Sequence, residues 1–181
     1  MFTLRYKIKD IPNEGRVIDE SIARSLFADA LEGMQADLDA TKGHVHIELH
    51  KSHDDVFARG KVKADVTIPC ASCLGPARVA IDSAIKMTFV PQDEEREGAS
   101  EDPLDDVEFG THDRDTVDLS PIVREQIILG LPISAHCKED CKGLCSTCGQ
   151  NRNERDCGHR EAETPSALAA QLSKLNLQPK G

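Results

Sequence analysis

The sequence has few aromatic side chains and no long apolar run. Aromatic residues make up 3% of the 181 residues, with no Trp and a single Tyr. This composition argues against a single-strand nucleic-acid binder built on aromatic stacking platforms. No stretch approaches the roughly 18 apolar residues of a membrane span, and the charged stretch from Met1 to Asp10 lacks the apolar part of a secretory signal. We therefore expect a cytoplasmic protein with no membrane partner.

Catalytic motifs are absent from the sequence as well. It contains no G-x-S-x-G nucleophile turn, no Walker loop and no dinucleotide fingerprint. Histidines and carboxylates are abundant, but none of them lies in a recognisable acid–base arrangement. We expect a protein that is not an enzyme and that has no small-molecule substrate.

The net charge of −10 is concentrated in one segment. Residues 91–118 contain twelve acidic residues and two arginines, whereas acidic and basic groups nearly balance over 1–90 and over 119–181. A general phosphate-binding surface is therefore not visible. The acidic segment has several Pro and Gly residues and few apolar ones, so we predict an acidic mobile excursion over 91–118.

Alternating apolar and polar residues predict a β-sheet. Residues 56–69 have mostly apolar side chains at even positions and polar ones at odd positions, as in a long strand with one face in water. A second alternating run, 79–89, follows a short turn. We therefore predict an antiparallel hairpin with Cys70 and Cys73 at its tip. Clean alternation predicts a strand at 44–50 and weak alternation one at 3–9, and Val107 and Phe109 predict a short edge strand.

Helical spacing of apolar residues occurs in three places. Residues that commonly cap a helix start stand before or at the beginning of each. The predicted helices begin after Asp19–Ser21, at Ser120 and at Thr164. Together with the strands they predict an α+β core over 1–135, an antiparallel β-sheet with one or two packed helices, and a C-terminal helix and tail over 161–181.

Five Cys and one His fall within residues 137–159, where Leu144 is the only aliphatic residue. Burial of apolar side chains cannot order such a segment. A tetrahedral zinc site with thiolate and imidazole ligands would, because its binding free energy becomes folding free energy. We therefore predict a Cys-rich segment ordered by zinc over 136–160. In descending rank, the candidate metal ligands are Cys145, Cys148, Cys141, Cys137, Cys157, His159, Cys70 and Cys73.

Eight candidate ligands would fill two tetrahedral sites, but one site is the safer expectation. Cys145 and Cys148, with a glycine after them, are typical of a zinc knuckle, and Cys70 and Cys73 repeat the pattern. The hairpin pair could complete a four-Cys ribbon with the Cys145 knuckle, or it could be two buried thiols. A disulfide-exchange site is disfavoured, because that chemistry needs a pair at a helix N-terminus.

Two further features can be interpreted either as purely structural or as functional. His44, His46 and His50 share one strand face and could bind a metal. Since no acidic or Cys partner is placed locally, we interpret them as a solvated polar face. Arg124 and Glu125 lie within an apolar helical run and could serve recognition. We interpret them as a helix-surface or helix-packing pair.

Several motifs, taken in order, are similar to those of the YceD family. They are a strand ending in C-x-x-C-L, an acidic middle, a helix that opens with D-L-x-P, and the segment C-K-G-L-C-x-x-C-G-x-N-x-N. The resemblance covers most of the chain, roughly from residue 45 to 160. The matching residues are Cys70, Cys73 and Leu74; Asp118, Leu119, Glu125, Ile127, Leu129, Leu131 and Pro132; and Cys141, Lys142, Gly143, Leu144, Cys145, Cys148, Gly149, Asn151 and Asn153.

The resemblance implies a role in accumulation or processing of 23S ribosomal RNA, and hence in assembly of the large ribosomal subunit. Family members typically end the Cys segment with C-x-C, where this sequence has Cys157-Gly-His159. A zinc ligand can change from Cys to His and a half-disulfide cannot, so the difference favours metal. Some members lack this segment, which points to a structural rather than a catalytic zinc.

Three functions follow as hypotheses. The first is a non-enzymatic ribosome-assembly factor whose partner is a ribosomal protein or the assembling large subunit, with the acidic segment contacting a basic ribosomal protein. The second is a module that binds precursor ribosomal RNA directly. Its clustered basic groups would be those of the Cys-rich segment and of one strand face, Arg59, Lys61 and Lys63. The third is a thiol redox protein.

Overall fold

Seven strands, two α-helices and a short 3-10 helix at Ile8–Asp10 make up the computed structural model, which describes residues 4–92 and 108–159. The strands are β1 (Arg5–Lys7), β2 (Arg16–Ser21), β3 (Lys42–Ser52), β4 (Asp55–Pro69), β5 (Pro76–Pro91), β6 (Glu108–His112) and β7 (Thr116–Asp118). The helices are α1 (Arg24–Ala30) and α2 (Ser120–Leu129). The main sheet has the order β2-β3-β4-β5-β6, and β1 pairs with β7 in a second, two-stranded sheet. The predicted α+β class is confirmed.

The two long predicted strands form the centre of the main sheet. β4 and β5 pair antiparallel from Val56↔Phe89 to Pro69↔Pro76, so the predicted hairpin and the Cys pair at its tip are confirmed. β3 pairs antiparallel with β4 on the other side. The even positions of β4 form the inner face, which is buried, and the odd positions from Arg59 to Asp65 form an exposed outer face.

β6 is an edge strand, as the sequence predicts, but its direction differs from the prediction. It pairs parallel to β5, from Met87↔Glu108 to Pro91↔His112, so the main sheet is mixed rather than wholly antiparallel. Within the acidic segment, Glu108–His112 and Thr116–Asp118 thus belong to strands. Residues 93–107 of that segment lie outside the described residues, and so do the helix predicted at Thr164 and the tail over 161–181.

The start of the first helix is a correction to the sequence-based expectation. The expected cap residues Asp19–Ser21 pair with β3 as part of β2, with Asp19 opposite His46. α1 instead begins after Ala23, whose side chain makes no capping hydrogen bond. The backbone groups of Asp19–Ser21 hydrogen-bond to β3, and these bonds outweigh the local preference of the three residues for capping a helix.

The second helix begins at Ser120, but Ser120 is its first residue and not its cap. Its backbone N–H donates to Asp118 Oδ1 at 2.9 Å, and its Oγ accepts from the Leu4 N–H at 3.1 Å. The Asp118 carboxylate is therefore the side chain that accepts a hydrogen bond from the backbone N–H at the start of the helix.

Both helices cover the inner face of the main sheet. Phe27 of α1 and Ile127 of α2 are buried together with the inward side chains of β3, β4 and β5 in one apolar core. The Arg124 guanidinium donates to the Asp29 carbonyl at 3.3 to 3.4 Å and links α2 to α1. This confirms Arg124 as a helix-packing residue. Within the described residues, no helix is both long and apolar enough to cross a membrane.

Candidate metal centre

The tip of the β4–β5 hairpin is a tight turn that presents two thiols. The Cys70 N–H donates to the Gly75 carbonyl at 2.7 Å, and the Leu74 N–H donates to the Cys70 carbonyl at 3.0 Å. Leu74 has a φ of 59°, in the left-handed region. The Ser72 N–H points at Cys70 Sγ at 3.4 Å. Both thiols are buried, with Cys70 at 0% exposure and Cys73 at 6%.

The Cys145 turn has the same backbone pattern. The Cys145 N–H donates to the Gln150 carbonyl, and the Gly149 N–H donates to the Cys145 carbonyl, both at 2.8 Å. Gly149, with a φ of 71°, stands where Leu74 stands in the first turn. The two C-x-x-C motifs therefore fold as two copies of one knuckle, and the knuckle interpretation of the sequence is supported for both.

The eight candidate ligands gather into two separate groups. Within each group the ligand atoms all lie within 4.8 Å of one another. The hairpin cluster consists of Cys70, Cys73, Cys137 and Cys141, and the terminal cluster consists of Cys145, Cys148, Cys157 and His159. The hairpin pair thus joins Cys137 and Cys141, and the alternative four-Cys ribbon with the Cys145 knuckle is not formed.

Sulfur separations in the hairpin cluster fit a shared ion. Cys70 Sγ lies 3.8 Å from Cys141 Sγ, and Cys73 Sγ lies 3.6 Å from Cys137 Sγ. A disulfide bond would require about 2.05 Å, and all seven cysteines are free. Four sulfurs at about 2.3 Å from one tetrahedral ion would be separated by about 3.8 Å. The cluster therefore has the dimensions of a tetrahedral four-sulfur site.

The thiols within each cluster titrate differently. Burial raises the pKa of Cys70, but backbone N–H groups, first among them that of Cys137, outweigh it and bring the pKa to about 5. Contact with the Cys73 thiol raises the pKa of Cys137 to about 12. In the terminal cluster, the Cys148 N–H lowers the pKa of Cys145 to about 6. Close thiols resist ionising together, and a divalent cation is what allows all of them to do so.

Backbone hydrogen bonds hold the start of the Cys-rich segment, and Ala135 directly before it, to the hairpin tip. The Ala71 N–H donates to the Ala135 carbonyl at 2.8 Å, and the Leu144 N–H donates to the Ser72 carbonyl at 3.0 Å. Ala135 is buried in a small apolar cluster with Cys70, Cys73 and Ala77. Docking of this kind is not visible in the sequence, because 64 residues separate Cys73 from Cys137.

Asn153 supports the hairpin cluster from outside the ligand set. Its Nδ2 donates to Cys141 Sγ at 3.4 Å, and its Oδ1 accepts from the Lys142 N–H at 2.9 Å. Asn151 in turn accepts from Asn153 through its Oδ1. Sequence reasoning assigned no role to these asparagines, although the N-x-N spacing was the available signal. Such contacts orient metal ligands and tune their affinity.

The histidine row on β3 has an acidic partner that sequence reasoning missed. Asp19 of β2 lies across from it and bonds both His44 and His46, the latter at 3.3 Å. These bonds lower the pKa of the Asp19 carboxyl, with the His44 bond as the largest cause. All three side chains are roughly half exposed. The interpretation as a solvated polar face is therefore retained, now with a neighbouring carboxylate.

Comparison with known proteins finds relatives of similar sequence. An uncharacterized protein of Mycobacterium tuberculosis (strain ATCC 25618 / H37Rv) is 30% identical over 103 residues, which cover 57% of this chain and 48% of that protein. The chloroplastic large ribosomal RNA subunit accumulation protein YCED homolog 1 of Zea mays is 27% identical over 146 residues, which cover 64% and 50%. The chain thus spans about half the length of these two relatives.

The Arabidopsis thaliana protein of the same name is 34% identical over 67 residues, 36% of this chain and 21% of that protein. No solved structure matches. The family described as large ribosomal RNA subunit accumulation protein YceD matches residues 58–176, which is more than half of the chain and includes all eight clustered ligands. This chain therefore belongs to the YceD family.

Proposed function

We propose that this chain is a non-enzymatic assembly factor of the large ribosomal subunit, which supports accumulation or processing of 23S ribosomal RNA in the cytoplasm. The observation that carries the proposal is the family match over residues 58–176. The maize and Arabidopsis relatives, which are named large ribosomal RNA subunit accumulation proteins, support it. The direct partner is a component of the assembling large subunit, either a ribosomal protein or the ribosomal RNA.

The proposed cofactor is zinc, with one ion in each cluster. The hairpin cluster offers four sulfurs and the terminal cluster three sulfurs and one imidazole, and both are donor sets that structural zinc sites use. The sulfur separations of 3.6 and 3.8 Å support a tetrahedral ion in the hairpin cluster. Each set supplies four protein ligands, which leaves no open position for a substrate or an activated water. This favours a structural role.

The zinc ions would supply cross-links where the chain has little apolar surface to bury. Residues Cys70 and Cys73 belong to the hairpin, and Cys137 and Cys141 belong to the segment that docks on it. The hairpin cluster therefore ties the Cys-rich segment to the main sheet. The terminal cluster closes the segment on itself between Cys145 and His159. The segment becomes a rigid cap at one end of the hairpin.

A thiol redox function is disfavoured by the surroundings of both pairs. A redox-active C-x-x-C pair sits at a helix N-terminus, where the helix lowers the pKa of the attacking thiol. Among the described residues, Cys70 and Cys73 lie in a β-hairpin turn and Cys145 and Cys148 in a knuckle turn. Each pair also faces two further ligands, so its thiols are committed to a four-atom cluster.

The proposal is tested by depleting the protein in its native host. We expect 23S ribosomal RNA to fall relative to 16S, with unprocessed 23S ends accumulating, and we expect the wild-type chain to restore both. The ratio is measured by electrophoresis of total RNA, the ends by primer extension and free subunits by sucrose gradient. An unchanged ratio, unchanged ends and an unchanged gradient profile under full depletion would contradict the proposed function.

A further inference from the structure

The outer face of the main sheet is an open surface. Helices α1 and α2 both pack on the inner face. The outward side chains at the centre of β3, β4 and β5 are exposed. They run from Glu48 to His44 on β3, from Arg59 to Lys63 on β4 and from Lys86 to Asp82 on β5. An exposed sheet face of several strands is a platform on which an extended chain can lie.

Register brings an aromatic row onto one end of this face. His50, Phe57 and Thr88 lie side by side on β3, β4 and β5. Phe109 lies next to Thr88 on β6, and Phe109 is 53% exposed. The two phenylalanines are two strands apart, which places them roughly 10 Å from each other on the same face. The low aromatic content argues against a stacking platform, but the fold places two of the five phenylalanines on one sheet face, with the buried Thr88 between the partly exposed Phe57 and the exposed Phe109.

The neighbouring rows carry unpaired positive charge. Arg59 lies between Glu48 of β3 and Lys86 of β5, so this row has a net positive charge, and Lys61 follows on the next row of β4. Elsewhere on the face, lysines are balanced by carboxylates, as in Lys63 with Asp82 at 3.6 Å. None of Arg59, Lys61 and Lys86 has an ion pair with another residue that the structure describes. The positive charge therefore lies directly beside the aromatic row.

A hollow opens between the aromatic row and the basic row. It has a volume of 310 Å³ and is lined by Glu48, His50, Phe57 and Arg59. Its walls combine two rings that can stack on a base with a carboxylate and a guanidinium that can hydrogen-bond a base edge. Stacking surfaces, hydrogen-bonding groups and adjacent cations are the elements by which proteins recognise unpaired bases.

From this arrangement we propose that the outer face binds single-stranded RNA. Phe57 and Phe109 stack on bases, Lys61 and Lys86 contact phosphates, and the hollow, with Glu48 and Arg59 in its walls, receives one base. A duplex cannot use the face in this way, because its bases are already stacked on each other. The inference rests on the proposed function, since it identifies unpaired ribosomal RNA as the direct partner of the assembly factor.

The test uses the full, zinc-loaded chain and a fluorescein-labelled 12-nucleotide RNA of mixed sequence, followed by fluorescence anisotropy. We expect the single strand to bind at least about tenfold more tightly than the same sequence as a duplex. The F57L/F109L variant should bind the single strand about fivefold more weakly or worse, because stacking on the rings is lost. F109L alone gives the same direction on an exposed position, should Phe57→Leu disturb folding.

A salt titration of the same binding reaction measures the contribution of the lysines to RNA affinity. The K61Q/K86Q variant should lower the slope of log affinity against log salt by about 1.4, since each phosphate contact on a single strand contributes about 0.7. K7Q/K9Q removes the same charge from exposed residues of β1 and of the turn that follows it, which do not belong to the main sheet, and should leave the slope unchanged. Equal losses in both double variants, equal binding of duplex, or no binding at 50 mM salt would overturn the proposal.

Competition and the host assay separate the remaining outcomes. If a polyglutamate peptide displaces the RNA as well as unlabelled RNA does, the face binds acidic proteins and the RNA proposal is wrong. If F57L/F109L loses RNA binding but fully restores 23S RNA in the depleted host, the face is not used in assembly and the proposed function stands. If depletion leaves 23S RNA unchanged, the proposed function fails whatever these affinities are.

Discussion

Replacing Cys70 and Cys73 by serine should destabilise the entire core, whereas the same exchange at Cys145 and Cys148 should not. The hairpin cluster joins the main sheet to a segment that begins 64 residues later, counted from Cys73 to Cys137. The terminal cluster lies wholly within residues 145–159. Both variants lose two thiols and gain two hydroxyls, so each is the matched control of the other.

The size of the difference follows from the length of chain that each cross-link encloses. A link between residues 64 apart restricts the unfolded chain by roughly 4 kcal/mol. For a chain of this size, each kcal/mol corresponds to about 2–4 °C in melting temperature. We therefore expect C70S/C73S to lower the melting temperature of the sheet by about 10 °C. C145S/C148S should disorder only the end of the Cys-rich segment and leave the melting of the sheet nearly unchanged.

The assay is thermal melting followed by circular dichroism in the β-sheet region, with equimolar zinc and with a chelator. In chelator the wild type should lose most of its advantage over C70S/C73S, because the cross-link is then absent from both. Limited proteolysis at Lys138 and Arg152 reports on the segment itself. Equal melting of the two double variants with zinc present would refute the assignment of the hairpin cluster as the link between segment and sheet.

Three further predictions concern single residues. Asn153→Ala should weaken zinc binding at the hairpin cluster by about tenfold in a chelator competition, because its bond to Cys141 Sγ orients that ligand; equal weakening of both sites would argue against this. Gly149→Ala should lower the stability of the terminal cluster by about 1 kcal/mol, because Gly149 has a φ of 71° and no atom lies within 4 Å of an added Cβ. Gly149→Asn should lower that stability less, and a larger loss for Asn would contradict the strain argument. The hydrogen bond from the Thr116 N–H is the largest cause that lowers the pKa of the Asp113 carboxyl. The stability that this bond gives the folded protein is therefore present above the ordinary pKa of about 4, and it is lost as pH falls through the folded pKa. Asp113→Asn should therefore melt below wild type at pH 7, with a gap that closes below about pH 4; a gap independent of pH would refute it.

The long strands could be predicted because their alternation is regular and one of their faces is buried. Even positions of β4 such as Val62 and Val66 are fully buried, and a shift of one residue would expose them to water. The knuckles could be predicted for a related reason, since their turns are set by bonds between residues at most five apart along the chain. Local sequence was sufficient wherever the contacts are local.

The failures occur where distant contacts decide. Asp19–Ser21 has the local features of a helix start, but its backbone groups pair with β3. β6 is parallel to β5, and no local pattern in a strand of five residues encodes that direction. The partners of Cys70 and Cys73 could not be chosen from spacing, because the docking of Ala135 against Ala71 decides which thiols meet.

The two proposed zinc sites are tested most directly by the metal content of the wild-type chain, purified under reducing conditions, together with the X-ray absorption spectrum of the bound metal. We expect two zinc ions per chain, coordinated in total by seven sulfurs and one imidazole nitrogen, with zinc–sulfur distances of about 2.3 Å. A chain that carries no metal would contradict the zinc proposal, and a chain that carries one ion would contradict the two-cluster assignment.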